Sequence, residues 1–351
     1  MPWPNPSKPP RLHPGDRVAV LSPSWGGPSL FPHIHDLGVR VLRDHLGLDV
    51  VEMPTARADA GFLDEHPEAR AADVNTAFAD PSIRAIIATI GGDDAVRILP
   101  FVDVDLALRN PKVVMGYSDT TTLLAWLNVS GLVTFNGPSV MAGLAQAHAL
   151  PPSFLEHVRR VLFEGPASYL YEPYPWWSEG YPSWANQANA GEVLPPTPNE
   201  PWRFLQGEGT VDGSLFGGCV EVLEFLKGTR FWPPADFWDG RILFLETSEE
   251  APPPAVVQRM IRNYGSQGVL ERIAGLLVGR PRGYLPEQKD ALDEAVLKVV
   301  RRELGRANLP IVTRMDFGHT DPQLILPLGV RARIDCEARQ VALVEAAVAG
   351  E

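Results

Sequence analysis

Short apolar runs and amphipathic stretches alternate through the first half of the chain. Arg17 to Leu21 (RVAVL) reads as a strand that stops at Ser22-Pro23-Ser24. Ile34 to His45 reads as a helix, with Ile34, Leu37 and Val41 on one face. Val50 to Met53 is a second short strand, and Arg84 to Ile90 (RAIIATI) a buried one that ends at Gly91-Gly92. Asp94 to Pro100 starts another helix. Lys112 to Tyr117 (KVVMGY) is again a strand, followed by the helical TTTLLAWLN. Strand–helix alternation of this kind predicts an α/β fold with a parallel, Rossmann-like sheet covered by helices. Ligands bind at the carboxyl ends of strands in such sheets, and those ends carry Ser22, Gly91-Gly92 and Ser118.

The pattern changes between Tyr169 and Gln206, where Trp, Tyr and Pro accumulate without a period. This stretch is expected to be a linker and substrate loop between an N-terminal domain over 1–168 and a smaller C-terminal α/β domain over 207–351. Its aromatic content argues against simple disorder. In the second unit, Gly213 to Lys227 reads as a glycine turn running into a helix. Arg241 to Leu245 (RILFL) and Ile273 to Val278 read as strands, with a helix over Pro254 to Tyr264. A long helix over Glu287 to Leu304 and strands at Ile311 to Arg314 and Val341 to Val344 complete it.

Composition narrows the function. The chain of 351 residues is 45% apolar and 21% charged, as soluble globular proteins are, and carries a formal net charge of −12. That balance argues against a nucleic-acid polymer as partner, because displacing counterions needs a basic surface. Two cysteines, Cys219 and Cys336, form neither a disulfide framework nor a zinc spacing. The proline-rich start lacks the apolar core of a signal peptide, and no run is long enough to span a bilayer, so a cytoplasmic protein is expected. The first dozen residues read as an irregular arm.

Candidate chemistry gathers at strand ends. Ser118, in Gly116-Tyr117-Ser118-Asp119, sits where a buried strand turns into a helix. There a serine is pushed into the open and the next backbone N–H can face an oxyanion. An ordinary helix cap would use the same residues. Gly91-Gly92 could supply a second N–H or be a plain turn. Glu246 follows RILFL and could orient an imidazole, or Thr247-Ser248-Glu249-Glu250 could be only a solvated turn. Of eight histidines, His319 alone stands in a glycine turn after a strand (DFGHTDP), where it could serve a serine as base or simply bond backbone. His33 and His35 have no further ligands nearby, so no metal is expected. GSLFGG at Gly213 to Gly218 lacks the G-K-[ST] ending of a phosphate loop, and no G-x-G-x-x-G follows the first strand.

Taken in order, LSPS, DPSIRAIIATIGGDDAVRILP, KVVMGYSDTTTLL, GSLFGGCVEVLEFLKGT, RILFLETSEE, GLLVGRPRG and DFGHTDPQLILPLG resemble the serine LD-carboxypeptidase family over nearly the whole chain. The resemblance implies a nucleophile at Ser118, an orienting acid at Glu246, a base at His319, and an oxyanion hole from the N–H groups of Gly92 and Asp119. It implies a homodimer that uses no metal or organic cofactor. One branch of the family trims terminal D-alanine from murein tetrapeptide. The other resembles the microcin C immunity protein, which cleaves an amide joining an aminoacyl group to a nucleotide-like moiety. Length, ETSEE and the Trp-rich insertion make this chain more similar to the second. Trp184 and Trp177 are then candidates to stack a nucleobase, or else they pack the domain interface. Cys219 stands where the family usually has asparagine. The rival functions are a non-catalytic small-molecule binder and a glutamine amidotransferase-like enzyme; the latter needs a cysteine after a buried parallel strand, which the sequence does not suggest.

Overall fold

The computed structural model of the protein describes residues 5–350. The first residues of the expected arm, 1–4, lie outside that range. The rest of the arm is irregular but docked: Ser7 exchanges backbone hydrogen bonds with Gly131 (2.7 Å) and Val133 (2.9 Å), and Leu12 is buried.

The first sheet has six strands in the order Leu326–Leu328, Thr134–Asn136, Val113–Gly116, Ile83–Ala88, Arg17–Leu21, Asp49–Glu52. The last five run parallel, and the apolar runs Val18–Leu21, Ala85–Ala88 and Val113–Gly116 are buried. The chain adds strands first to one side of Arg17–Leu21 and then to the other. The order therefore reverses between Arg17–Leu21 and Ile83–Ala88, which opens a crevice at their carboxyl ends. Leu326–Leu328 closes one edge antiparallel, so the C-terminal part of the chain completes the N-terminal sheet.

The second sheet has eight strands: Tyr169–Leu170, Gln340–Leu343, Arg331–Asp335, Thr210–Cys219, Ile242–Glu246, Gly275–Gly279, Ile311–Met315 and Arg203–Gln206. The glycine turn expected from Gly213 is instead the far part of the ten-residue strand Thr210–Cys219, and only Val220–Glu224 is helical. Its first half pairs antiparallel with Arg331–Asp335 and its second half parallel with Ile242–Glu246. Glycine is required there for proximity. A Cβ on Gly217 would lie 1.7 Å from the Phe244 carbonyl oxygen, and one on Gly218 would lie 2.4 Å from the Thr121 side chain. The backbone thus comes down onto the helix Thr121–Val129, and the Cys219 N–H donates to Thr121 Oγ1 (3.3 Å). That contact brings the end of Ile242–Glu246, paired with Cys219, beside Ser118.

The aromatic stretch 169–206 is built into this sheet. Its two ends are edge strands on opposite sides, and Trp176–Trp177 pairs with Thr197–Pro198 between them. The sequence pattern also missed the helix Pro67–Ala79. Arg70 and Asp73 are buried on its inner face, which breaks the apolar stripe that marks an amphipathic helix.

Candidate active site

Ser118 follows Val113–Gly116, with a single turn over Ser118–Thr120 leading into the helix Thr121–Val129. Its φ of 57° lies in the left-handed region, which costs a non-glycine residue roughly 1–2 kcal/mol. Packing on both sides holds it there: Tyr117 is buried before it and Asp119 after it. The hydroxyl is thereby lifted out of the sheet at the helix N-terminus.

His319 Nε2 lies 3.0 Å from Ser118 Oγ, and His319 Nδ1 lies 2.7 Å from Glu246 Oε2. Glu246 is the last residue of its strand and is 1% exposed; its Oε1 is buried without a partner. The Tyr117 ring packs edge-on against the imidazole, 5.0 Å between centroids. Ser118 and Glu246, read at strand ends, and His319, read in a glycine turn, are thus brought into one hydrogen-bonded line. Burial pulls the imidazole pKa down, but the carboxylates of Glu246 and then Glu249 outweigh it and raise it to about 10. Burial pushes the Glu246 carboxyl up, against the pull of His319.

The loop carrying His319 is fixed from outside. Asp316 is fully buried and accepts from Arg280 (2.7 Å), Trp202 Nε1 (2.8 Å) and Asn199 (2.9 Å). The Ser178 and Asp321 backbones exchange hydrogen bonds at 2.7 and 3.0 Å. Ser178, Asn199 and Trp202 all belong to the aromatic stretch, which therefore splints the histidine loop. Nothing in the linear pattern announces that role.

The glycine loop lies against the serine. A Cβ built on Gly91 would fall 2.8 Å from Ser118 Cβ, 3.0 Å from Oγ and 3.2 Å from the Asp119 nitrogen. One on Gly92 would meet Ser24 Oγ at 2.2 Å, which leaves only glycine able to pass LSPS. The loop is tied twice. Asp119 Oδ2 accepts from Ser24 Oγ (2.5 Å) and from the Ala95 N–H (2.6 Å). Arg70, 0% exposed, grips Asp94 with two hydrogen bonds of 2.7 and 2.8 Å. Sequence reasoning had singled out Asp119 for its backbone only and had passed over Ser24, Arg70 and Asp94.

The two tryptophans differ in surroundings. Trp184 is buried, stacked on Tyr181 (4.5 Å, 14°) and edge-on to Phe31 (5.6 Å), in a cluster that also holds Ile90 and Tyr117. Its Nε1 is buried without a partner. The Trp177 ring instead meets Lys289 (4.1 Å) and Arg280 (4.9 Å). Cys219 does end a buried strand that runs parallel to its neighbour, contrary to the sequence expectation. Its Sγ faces Glu221 (3.5 Å), and burial together with Glu246 and Glu221 pushes the thiol well up, so it is not poised as a nucleophile. Among the described residues, no group of three or more His, Cys, Asp or Glu side chains could hold a metal ion, and no helix is long and apolar enough to cross a membrane.

Residues 18–137 match the model of the LD-carboxypeptidase N-terminal domain, and residues 212–334 match that of the C-terminal domain. The chain belongs to the LD-carboxypeptidase family. It is a serine-peptidase-type hydrolase. It is similar to a probable murein peptide carboxypeptidase of Bacillus subtilis, 27% identical over 344 residues, covering 97% of this chain and 95% of that one. The solved structure of an MccF-like protein from Streptococcus pneumoniae in complex with AMP superposes with a TM-score of 0.82 at 30% identity, covering 94% of this chain and 98% of that one. MccF in complex with glutamyl sulfamoyl guanosine gives 0.82 at 26% identity, covering 98% and 100%.

Proposed function

We propose that this hydrolase cleaves the amide joining an aminoacyl or peptidyl group to a nucleotide-like moiety, through Ser118, His319 and Glu246. The observation that carries the reading is the line from Glu246 Oε2 through both imidazole nitrogens to Ser118 Oγ, at 2.7 and 3.0 Å. In it, neutral His319 accepts the Ser118 proton at Nε2 as Oγ attacks the carbonyl carbon. Glu246 fixes the tautomer and stabilises the imidazolium. The N–H groups of Gly92 and Asp119 receive the developing oxyanion. His319 then protonates the leaving nitrogen, and water, activated by the same imidazole, releases the acyl group and restores Ser118.

Two observations favour a nucleotide-bearing substrate. The structural relatives hold AMP and a glutamyl sulfamoyl nucleoside. Trp184 and Tyr181 form an aromatic stack in the cluster that contains Tyr117, the neighbour of the nucleophile. Tyr181 covers one face of Trp184, so a base would stack on Tyr181 or displace it. The reading includes a cytoplasmic homodimer with no metal or organic cofactor.

The test offers an aminoacyl sulfamoyl adenosine and a murein tetrapeptide to the protein and to Ser118→Ala, with products read by mass spectrometry. Free amino acid from the adenosine conjugate, abolished in Ser118→Ala, supports the proposal. D-Alanine alone assigns the chain to the murein branch. Undiminished hydrolysis by Ser118→Ala removes the nucleophile.

A further inference from the structure

The turn after Glu246 places a second carboxylate on the base. Glu249 Oε2 lies 3.0 Å from His319 Nε2, the same nitrogen that is 3.0 Å from Ser118 Oγ. The two anions around the imidazole differ in setting. The Glu246 side chain is 0% exposed and the His319 side chain 4%, whereas that of Glu249 is 56% exposed on an irregular turn. Glu249 is therefore the partner that can leave.

This contact matters because Nε2 cannot do two things at once. To take the Ser118 proton it must present a lone pair. A carboxylate at Nε2, added to one at Nδ1, instead favours a proton on each nitrogen, and an imidazolium accepts nothing. Other charged or titratable groups facing Glu249 do not cancel the effect. Glu246 is acidic, Tyr117 and Tyr181 are phenols held neutral by burial, Asp321 adds negative charge on the imidazole itself, and Arg282 is a further cation acting on Glu249. Arg282 lies over the Tyr181 ring, 5.6 Å from its centroid.

We propose that Glu249 is a specificity-determining residue that recognises a free α-ammonium on the acyl part of the substrate, and that this recognition draws it off His319 and frees the base. The idea rests on the proposed function and refines it. In an α-aminoacyl group the nitrogen is two bonds from the attacked carbonyl carbon, about 2.5 Å away by covalent geometry. With that carbon against Ser118 Oγ, the ammonium stands beside the carboxylate, since Glu249 and Ser118 both touch Nε2. A new ion pair there replaces the one with His319. In a carboxypeptidase substrate the residue that donates the scissile carbonyl has its α-nitrogen in the preceding peptide bond. That nitrogen carries no charge and leaves Glu249 in place. The arrangement thus selects aminoacyl conjugates over longer peptides.

The experiment compares wild type with Glu249→Gln in two readouts. The first, ¹⁵N NMR of His319 in the free protein, involves no substrate. Loss of one anion at contact distance is expected to lower the deprotonation midpoint by roughly one pH unit, the low end for an exposed partner. The second is kcat/KM at pH 7 for an aminoacyl sulfamoyl adenosine and its N-acetyl twin. Wild type is expected to prefer the free amine by roughly tenfold or more, and Glu249→Gln to lose most of that preference. A midpoint that does not move overturns the gating of the base. An unchanged amine preference overturns the recognition, and so does an equal loss of kcat/KM for both conjugates. If wild type cleaves neither conjugate, the proposed function fails and with it the substrate assignment, while the NMR midpoint still decides whether Glu249 holds the base.

Discussion

Gly91→Ala tests whether the oxyanion develops where the glycine loop meets the nucleophile. The added methyl carbon would lie 3.0 Å from Ser118 Oγ and 3.2 Å from the Asp119 nitrogen. An oxyanion receiving the Asp119 N–H must sit about 2.7–3.1 Å from that nitrogen, so methyl and oxygen compete for one space. Losing one such donor costs about 10²–10³ in kcat, or about 2.7–4 kcal/mol of transition-state stabilisation. The φ of Gly91 is not in the left-handed region, so alanine brings no backbone penalty. Its contact with Ser118 Cβ at 2.8 Å is an overpacking cost, typically about 1–3 kcal/mol of stability. The assay measures kcat and KM on the substrate that Ser118→Ala fails to cleave, with thermal unfolding followed in parallel. A hundredfold or greater fall in kcat, in a protein that still unfolds cooperatively, is the expected result (about 10² as the threshold). A variant that keeps kcat within about threefold of wild type would show that the oxyanion lies elsewhere, and the Gly92 and Asp119 donors would have to be abandoned.

Two further outcomes follow from the same geometry. Trp184→Phe keeps an aromatic ring in the cluster but shrinks the stacking face, so KM for a nucleotide-bearing substrate should rise by roughly three- to tenfold with kcat nearly unchanged; steady-state kinetics on that substrate checks it. His157 is buried, accepts the Ile325 N–H at Nε2 (2.7 Å) and contacts the Tyr169 hydroxyl through Nδ1 (2.8 Å), and burial lowers its pKa to about 3. The folded state therefore refuses a proton that the unfolded chain accepts near its ordinary value of 6.5. The stability this group contributes is full above that value and is lost as pH falls towards 3, at up to about 1.4 kcal/mol per pH unit. Denaturant unfolding at several pH values in that window should show the decline, and His157→Gln should flatten it.

The sequence carried the ends of Val113–Gly116 and Ile242–Glu246 well, because each is an apolar run followed by polar turn residues, and it marked His319 by the glycine turn that follows Ile311–Met315. Ser118, Glu246 and His319 were each legible as residues lifted out at a sheet edge. It misread Gly213–Gly218 because a glycine-rich run signals a turn when only local conformation is weighed. Here the glycines answer to Phe244 and Thr121, which no local pattern contains. The turn at Glu249 read as solvated because its polarity is that of a surface loop, and most of its side chain is indeed exposed. Arg70 was invisible for the opposite reason: a buried arginine on a helix face looks like a break in the stripe until Asp94 is seen beneath it.

What the sequence alone determined was the kind of protein: alternating strands and helices, an acidic balance of charge, and a serine, a glutamate and a histidine, Ser118, Glu246 and His319, at or just beyond the ends of separate strands. Those properties follow from periodicity and residue chemistry, which are local. The tertiary structure decided that Ser118 meets His319 across 201 residues and His319 meets Glu246 across 73. It also decided that the aromatic stretch splints the histidine loop, and that Glu249 and Ser118 meet the same nitrogen of His319. Such contacts depend on which strands pair and in what register, and pairing is settled by the burial of both sheets together rather than by any one segment.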